Sequence, residues 1–200
     1  MMMLPERLVL ATRNRKKLAE MAAILADLPV TVLSSADFPD LAEVVEDTGS
    51  FEGNAAKKAL QTADGTGLWA VADDSGLEVD ALGGLPGVDS AYFAGRPGDD
   101  DANNAKLMAD LAGVADDRRT ARYRCVIALA RPGQVLFSVA DAWEGRIARS
   151  ARGSAGFGYD PYFVPEGYAE TVAELDPALK NRISHRAKAL AKFRARLTGM

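Results

Sequence analysis

Two long apolar-rich runs, Arg119 to Ala130 and Val135 to Trp143, are joined only by Arg131-Pro132-Gly133-Gln134. Pro and Gly in so short a connection specify a tight turn, and such a turn can only fold the second run back along the first. The second half of the chain is therefore committed to an antiparallel hairpin. The first half reads differently. Arg7 to Ala11 is a short apolar run, Thr12-Arg13-Asn14 a polar turn, and Lys17 to Leu28 places Leu18, Met21, Ala22, Leu25 and Leu28 on one helical face. Val30 to Leu33 reads as the next strand. A crossover-linked half and a hairpin half together predict an α/β fold on a mixed sheet.

Between these landmarks, Asp37 to Thr48 reads as an acidic connection and Phe51 to Thr62 as a helix, with Asn54 at its cap or first turn. Leu68 to Ala72 is a buried-strand run ending in Asp73-Asp74-Ser75-Gly76, a polar tip of the kind where α/β folds place sites, and Leu77 to Asp80 alternates like a half-exposed strand. Ala102 to Leu111 reads as a helix, Gly153 to Pro161 as a glycine-rich loop, Thr171 to Leu175 as a short helix and Ser184 to Leu197 as the last one. No repeat or linker divides residues 1–200, so one domain with two lobes is expected.

The scarce residues exclude whole chemistries. One cysteine and one histidine cannot assemble a zinc site, so a catalytic metal must be a hard cation, Mg²⁺ or Mn²⁺, held by carboxylates and substrate oxygens. Cys125 sits in an apolar run and reads as core; a lone cysteine points to a reducing, cytoplasmic compartment. A Ser-His-Asp or Cys-His mechanism would have to use His185, which makes it a narrow possibility. Lys+Arg 24 against Asp+Glu 28 leaves a net charge of −4, without the basic footprint that a nucleic-acid polymer requires. No apolar run approaches membrane-spanning length, and the start lacks the pattern of a signal peptide.

Several groups of residues can carry chemistry. Thr12, Arg13, Asn14, Arg15, Lys16 and Lys17 occupy a strand-to-helix turn, where backbone amides and the helix dipole favour a phosphate. Neither Gly-x-x-x-x-Gly-Lys-Ser/Thr nor Gly-x-Gly-x-x-Gly occurs, so this is not one of the common nucleotide fingerprints. Asp73-Asp74 and Glu46-Asp47 supply carboxylates for Mg²⁺; read alone, Asp73 to Gly76 is also a good β-turn. Gly156-Phe157-Gly158-Tyr159-Asp160 sets two aromatics among glycines, free to stack on a base or to pack inward. Lys180 and Ser184-His185-Arg186 follow at the start of the last helix. Together these patches suit a small molecule that carries phosphates, a base and a bound cation.

In order along the chain, Leu10 to Glu20, Phe51-Glu52-Gly53-Asn54-Ala55-Ala56-Lys57-Lys58-Ala59, Asp73-Asp74-Ser75-Gly76-Leu77, Leu85-Pro86-Gly87, Gly156 to Pro161 and Ile183-Ser184-His185-Arg186 resemble the motifs of the non-canonical purine nucleoside triphosphate pyrophosphatases. The resemblance implies a single α/β domain of two lobes on a long mixed sheet, with the active site in the cleft between them, in a homodimer. It implies hydrolysis of inosine, deoxyinosine and xanthosine triphosphates to monophosphate and pyrophosphate, a house-cleaning reaction using Mg²⁺. It puts the phosphate turn on Thr12 to Lys17, a further phosphate contact on Lys58, the catalytic and metal aspartate on Asp74 and a substrate contact on Ser75. The base pocket falls on Phe157, Gly158, Tyr159, Asp160, Lys180, His185 and Arg186. The second metal-side acid falls on Asp47, with Glu46 as the alternative, and Arg13 stands where the family usually has Gly. A pyrophosphatase for modified pyrimidine triphosphates and a non-catalytic nucleotide sensor are the competing readings.

Overall fold

A computed structural model of the chain describes residues 4–199, with Arg15 and Lys16 described by their backbone alone. Among the described residues six strands and five α-helices follow in the order β1 (Arg7–Leu10), α1 (Arg15–Leu25), β2 (Thr31–Ser34), α2 (Phe51–Thr66), β3 (Trp69–Val79), α3 (Asp100–Asp110), β4 (Thr120–Arg131), β5 (Gln134–Ile147), β6 (Phe163–Pro165), α4 (Pro177–Ile183) and α5 (His185–Thr198). The strands form one mixed sheet in the order β2-β1-β3-β4-β5-β6. Crossovers through α1 and α2 make β1 parallel to both β2 and β3, whereas β5 and β6 are antiparallel. The α/β reading with a mixed sheet is thus borne out. No helix among the described residues is long and apolar enough to cross a membrane.

The chain packs as two compact units. The first comprises the residues up to Asp74, Cys125–Asp141 and those from Lys188 on; the second comprises Ser75–Arg124 and Ala142–Ala187. In the first unit β4 is buried at every position from Cys125 to Ala130, and Leu8, Leu10, Val71, Ile127 and Leu129 meet Met21 and Leu25 of α1 and Leu190, Phe193 and Leu197 of α5. The helical residues recur three to four apart, so each helix turns one apolar stripe to the strands. Cys125 is core. In the second unit Leu77, Val79, Tyr123, Trp143 and Phe163 pack with Leu107 and Leu111 of α3. Arg119 is buried there because its guanidinium donates to the carbonyls of Ile147, Leu111 and Ala148.

Three local expectations need correction. Asp73-Asp74-Ser75-Gly76 is no turn: β3 runs unbroken from Trp69 to Val79, paired with β1 over Trp69 to Val71 and lying beside β4 in the sheet, and sheet pairing outweighs local turn chemistry. The cap of α2 is Ser50, whose hydroxyl accepts from the Gly53 N–H, and Asn54 lies buried one turn on. Residues 171–175 form turns rather than a helix. There the Glu174 carboxylate takes the Thr171 N–H and hydroxyl, while the Val172 N–H and Ala173 carbonyl bond to Phe163 and Ala155 instead of continuing a helix. The helix α4 starts only at Pro177, capped by Asp176.

Candidate active site

The first unit holds the turn before α1, two lysines and the carboxylates. Thr12 follows β1 and accepts the Asn14 N–H on its hydroxyl at 3.2 Å, and the Asn14 side chain accepts the Lys17 N–H at 3.2 Å. Asn14 thereby caps α1, and Arg13 is exposed at the turn. The side chains of Arg15 and Lys16 lie outside the described residues. One turn into α1, Lys17 reaches back to β3, its Nζ 2.9 Å from Asp73 Oδ2.

Asp74 is the centre of this group. Its Oδ2 accepts from Asn54 Nδ2 at 3.0 Å, and the Asn54 carbonyl oxygen is fixed in turn by the Thr48 hydroxyl at 2.8 Å and N–H at 3.1 Å. Gly53 is needed beside it, since a Cβ there would run into the Thr48 side chain. Lys58 bridges two acids, with Nζ 2.6 Å from Glu46 Oε1 and 3.9 Å from Asp74 Oδ1. Burial raises the Asp74 carboxyl to about 6, reinforced by Glu46 and opposed by Lys58, Asn54 and Lys17. Burial would lower Lys58, but Asp74, Asp73 and Glu46 together hold it above its ordinary value.

The neighbouring acids part ways. The Asp47 carboxylate turns to Lys57 at 2.5 Å and is 61% exposed, whereas Glu46 shares Lys58 with Asp74. The acid brought to the Asp74 side is therefore Glu46 and not Asp47. Among the described residues no three acidic, His or Cys side chains gather into a group that could hold a metal ion, and the acids drawn together by Lys58 are two, Asp74 and Glu46. Two carboxylates fit a hard divalent cation only with substrate phosphate oxygens completing its shell, and such a cation would favour the ionised form that burial disfavours at Asp74.

The second unit holds the loop and the donors. Gly156 and Gly158 have φ of +86° and +62°, and between them Phe157 stands 40% exposed with Lys180 Nζ 4.8 Å from its ring centre. Asp160 organises the loop by accepting the Phe157 N–H at 2.9 Å and Lys180 Nζ at 2.5 Å on Oδ2. Gly158 is gripped from α3, its N–H by Asp100 at 2.7 Å and its carbonyl by Asn104 at 2.9 Å. Tyr159 does not stand free for stacking: it is buried, and its hydroxyl donates to the Ser90 carbonyl at 2.8 Å. His185 is buried at the start of α5, and the buried Arg186 donates from Nη2 to Ser75 Oγ at 3.2 Å. Lys180 lies on α4, not on the last helix. The sequence reading gives Asn54 a place only at the cap or first turn of its helix, and gives Asp100, Asn104 and Tyr123 no role. Only Asn54, an amide among the helix-forming alanines of α2, left a signal that could have marked it.

Buried strand-borne aspartates facing two lysines, and a glycine-framed aromatic loop set beside cationic donors, define an α/β protein equipped for a phosphorylated small molecule with a flat ring. The Ham1 family profile matches residues 8–196, and the chain belongs to that family. It is 54% identical over 186 residues to a protein of Desulforamulus reducens named dITP/XTP pyrophosphatase, spanning 93% of this chain and 92% of that one. A protein of the same name from Geobacter sulfurreducens is 52% identical over 191 residues, 96% of each chain. The solved structure of a HAM1 protein from Coxiella burnetii matches with a TM-score of 0.91 at 41% identity, covering 97% of this chain and 99% of that one.

Proposed function

We propose that this chain, acting as one enzyme domain, hydrolyses non-canonical purine nucleoside triphosphates to the monophosphate and pyrophosphate. The observation that carries the reading is the buried Asp74, held by Asn54 and flanked by Lys58, in a chain so similar to proteins named dITP/XTP pyrophosphatase. Asp74 and Glu46 would hold Mg²⁺, which when bound with phosphate oxygens neutralises charge around the phosphorus under attack. Lys17, Lys58, Thr12, Asn14 and the amino end of α1 bind the phosphates and stabilise the departing pyrophosphate. Asp74, ionised above about 6, accepts a hydrogen bond from the attacking water and orients it. Water forms the new bond to the α-phosphorus as its proton passes to the Asp74 carboxylate, and the bond to the bridging oxygen breaks with its electron pair leaving on pyrophosphate.

In the second unit Phe157 offers a ring face to the base, and Lys180, His185 and Arg186 offer donors. A cytoplasmic homodimer belongs to the same reading; Leu85 and Tyr92, 52% and 54% exposed, supply apolar surface for a second copy, and light scattering of the purified protein checks it. The deciding experiment is pyrophosphate release from inosine, xanthosine, guanosine, adenosine and modified pyrimidine triphosphates, with and without Mg²⁺. Release confined to the inosine and xanthosine substrates, and only with Mg²⁺, is expected. Equal release from all of them, or none, would overturn the reading.

A further inference from the structure

Tyr123 lies on β4, outside every motif that marks the site, yet it touches two residues of the base-binding group. Its ring stacks on the His185 imidazole with centroids 4.9 Å apart and planes 12° apart. Its hydroxyl donates to Asp160 Oδ1 at 3.3 Å, the carboxylate oxygen opposite the one that takes Lys180 and the Phe157 N–H. The ring is itself held by the edge of Phe163, 4.7 Å away at 61°. We propose that Tyr123 is a positioning residue for base recognition: its ring sets the plane of His185, and its hydroxyl sets the rotamer of Asp160, hence the placement of Lys180 and Phe157. This rests on the reading that these residues bind the base.

The physical case comes from burial and bonding. Tyr123 is buried, so its hydroxyl needs a partner, and facing a carboxylate it can only donate. Without that donor, Oδ1 of a buried carboxylate loses a hydrogen bond, and Asp160 is free to rotate away from the Phe157 amide and Lys180. Without the ring, the imidazole loses the flat surface that fixes its tilt. Base contacts of this sort act alike in the ground state and the transition state, so their loss falls on KM more than on kcat.

Tyr123→Phe keeps the stack and removes the donor, and Tyr123→Leu removes both. For inosine triphosphate, Tyr123→Phe is expected to raise KM by about tenfold, the worth of one hydrogen bond to a charged group, with kcat little changed. Tyr123→Leu is expected to lower the preference for inosine over adenosine triphosphate as well. His185 is the only histidine in the chain, so the imidazole proton NMR signals report it alone. They are expected to shift when the neighbouring ring current is lost in Tyr123→Leu and to stay in place in Tyr123→Phe. If wild type prefers inosine triphosphate and both variants match its KM and preference within about twofold, the inference is overturned alone. Imidazole signals unmoved in Tyr123→Leu also overturn it, and a wild type without purine preference overturns it together with the functional reading. Should Tyr123→Leu fail to fold, the KM of the isosteric Tyr123→Phe decides.

Discussion

Asp74 owes its chemistry to its place in the middle of β3, where both faces are covered. Burial there raises its carboxyl to about 6, while Asn54 and Lys58 favour the ionised form, the form that the proposed role with a cation and a water requires. Asp74→Asn keeps an oxygen to accept from Asn54 but loses the charge. The expected result is a kcat lowered by about 10²–10³ or more, with thermal unfolding close to wild type. Pyrophosphate release and a melting curve on the same sample check both halves. Arg186 illustrates selectivity. Always protonated, it can only donate, so under the proposed function it would reward a 6-oxo purine and set donor against donor with adenine. Arg186→Ala is expected to reduce the inosine to adenosine triphosphate ratio of kcat/KM by about tenfold or more. An unchanged ratio would reassign base reading to Lys180, His185 and the loop; guanine is 6-oxo as well, and its rejection needs some further contact.

At the scale of elements, the loop from Gly156 to Asp160 works because its glycine leaves room for its own aspartate. Gly156 has φ +86°, and a Cβ on it would run into Asp160 Oδ2, the oxygen that holds Phe157 and Lys180. Gly156→Ala is therefore expected to cost about 1–3 kcal/mol of stability and to raise KM for inosine triphosphate more than it lowers kcat. Denaturant titration and steady-state kinetics measure the two effects. A second link ties β3 to β4: the Asp80 carboxylate accepts from Thr120 Oγ1 at 2.6 Å and Arg122 Nη2 at 2.9 Å. The Thr120 hydrogen bond and Arg122 outweigh slight burial and hold Asp80 below its ordinary value. A depressed carboxyl adds stability above its unfolded pKa and loses it as pH falls through the folded one. Asp80→Asn is thus expected to destabilise at about pH 7 and less in acid strong enough to protonate the folded wild-type carboxyl as well. Equal losses at both would mean that charge plays no part.

At the scale of the molecule, each of the two units has its own apolar cluster and its own polar residues, the lysines and carboxylates around Asp74 in the first and the aromatic loop with its cationic neighbours in the second. Phe193 is fully buried in the first cluster, 5.5 Å from the Phe137 ring, and Phe193→Ala is expected to cost about 3–5 kcal/mol. Urea titration followed by the far-ultraviolet dichroism of the helices reads the loss.

Several local features were legible in the sequence, although the Ser50 cap and the Thr171 to Glu174 turns were not. The hairpin follows from Pro132-Gly133 between two apolar runs, the polar turn before α1 from the switch of period after Ala11, and the ordered motifs carried the family and with it the activity. What the sequence alone could not reveal depends on residues far apart in the chain. Asp73 to Gly76 has turn chemistry, and only the place of β3 beside β4 in the sheet makes it strand. Glu46 and Asp47 are equivalent by spacing, and the backbone that aims one at Lys58 and the other at Lys57 comes from how the loop lies on α2. Asn54 meets Asp74 and Tyr123 meets His185 because the sheet and its helices bring those segments together. Period and motif record which face a residue turns inward, but a partner tens of residues away is chosen by packing, and that choice exists only once the chain has folded.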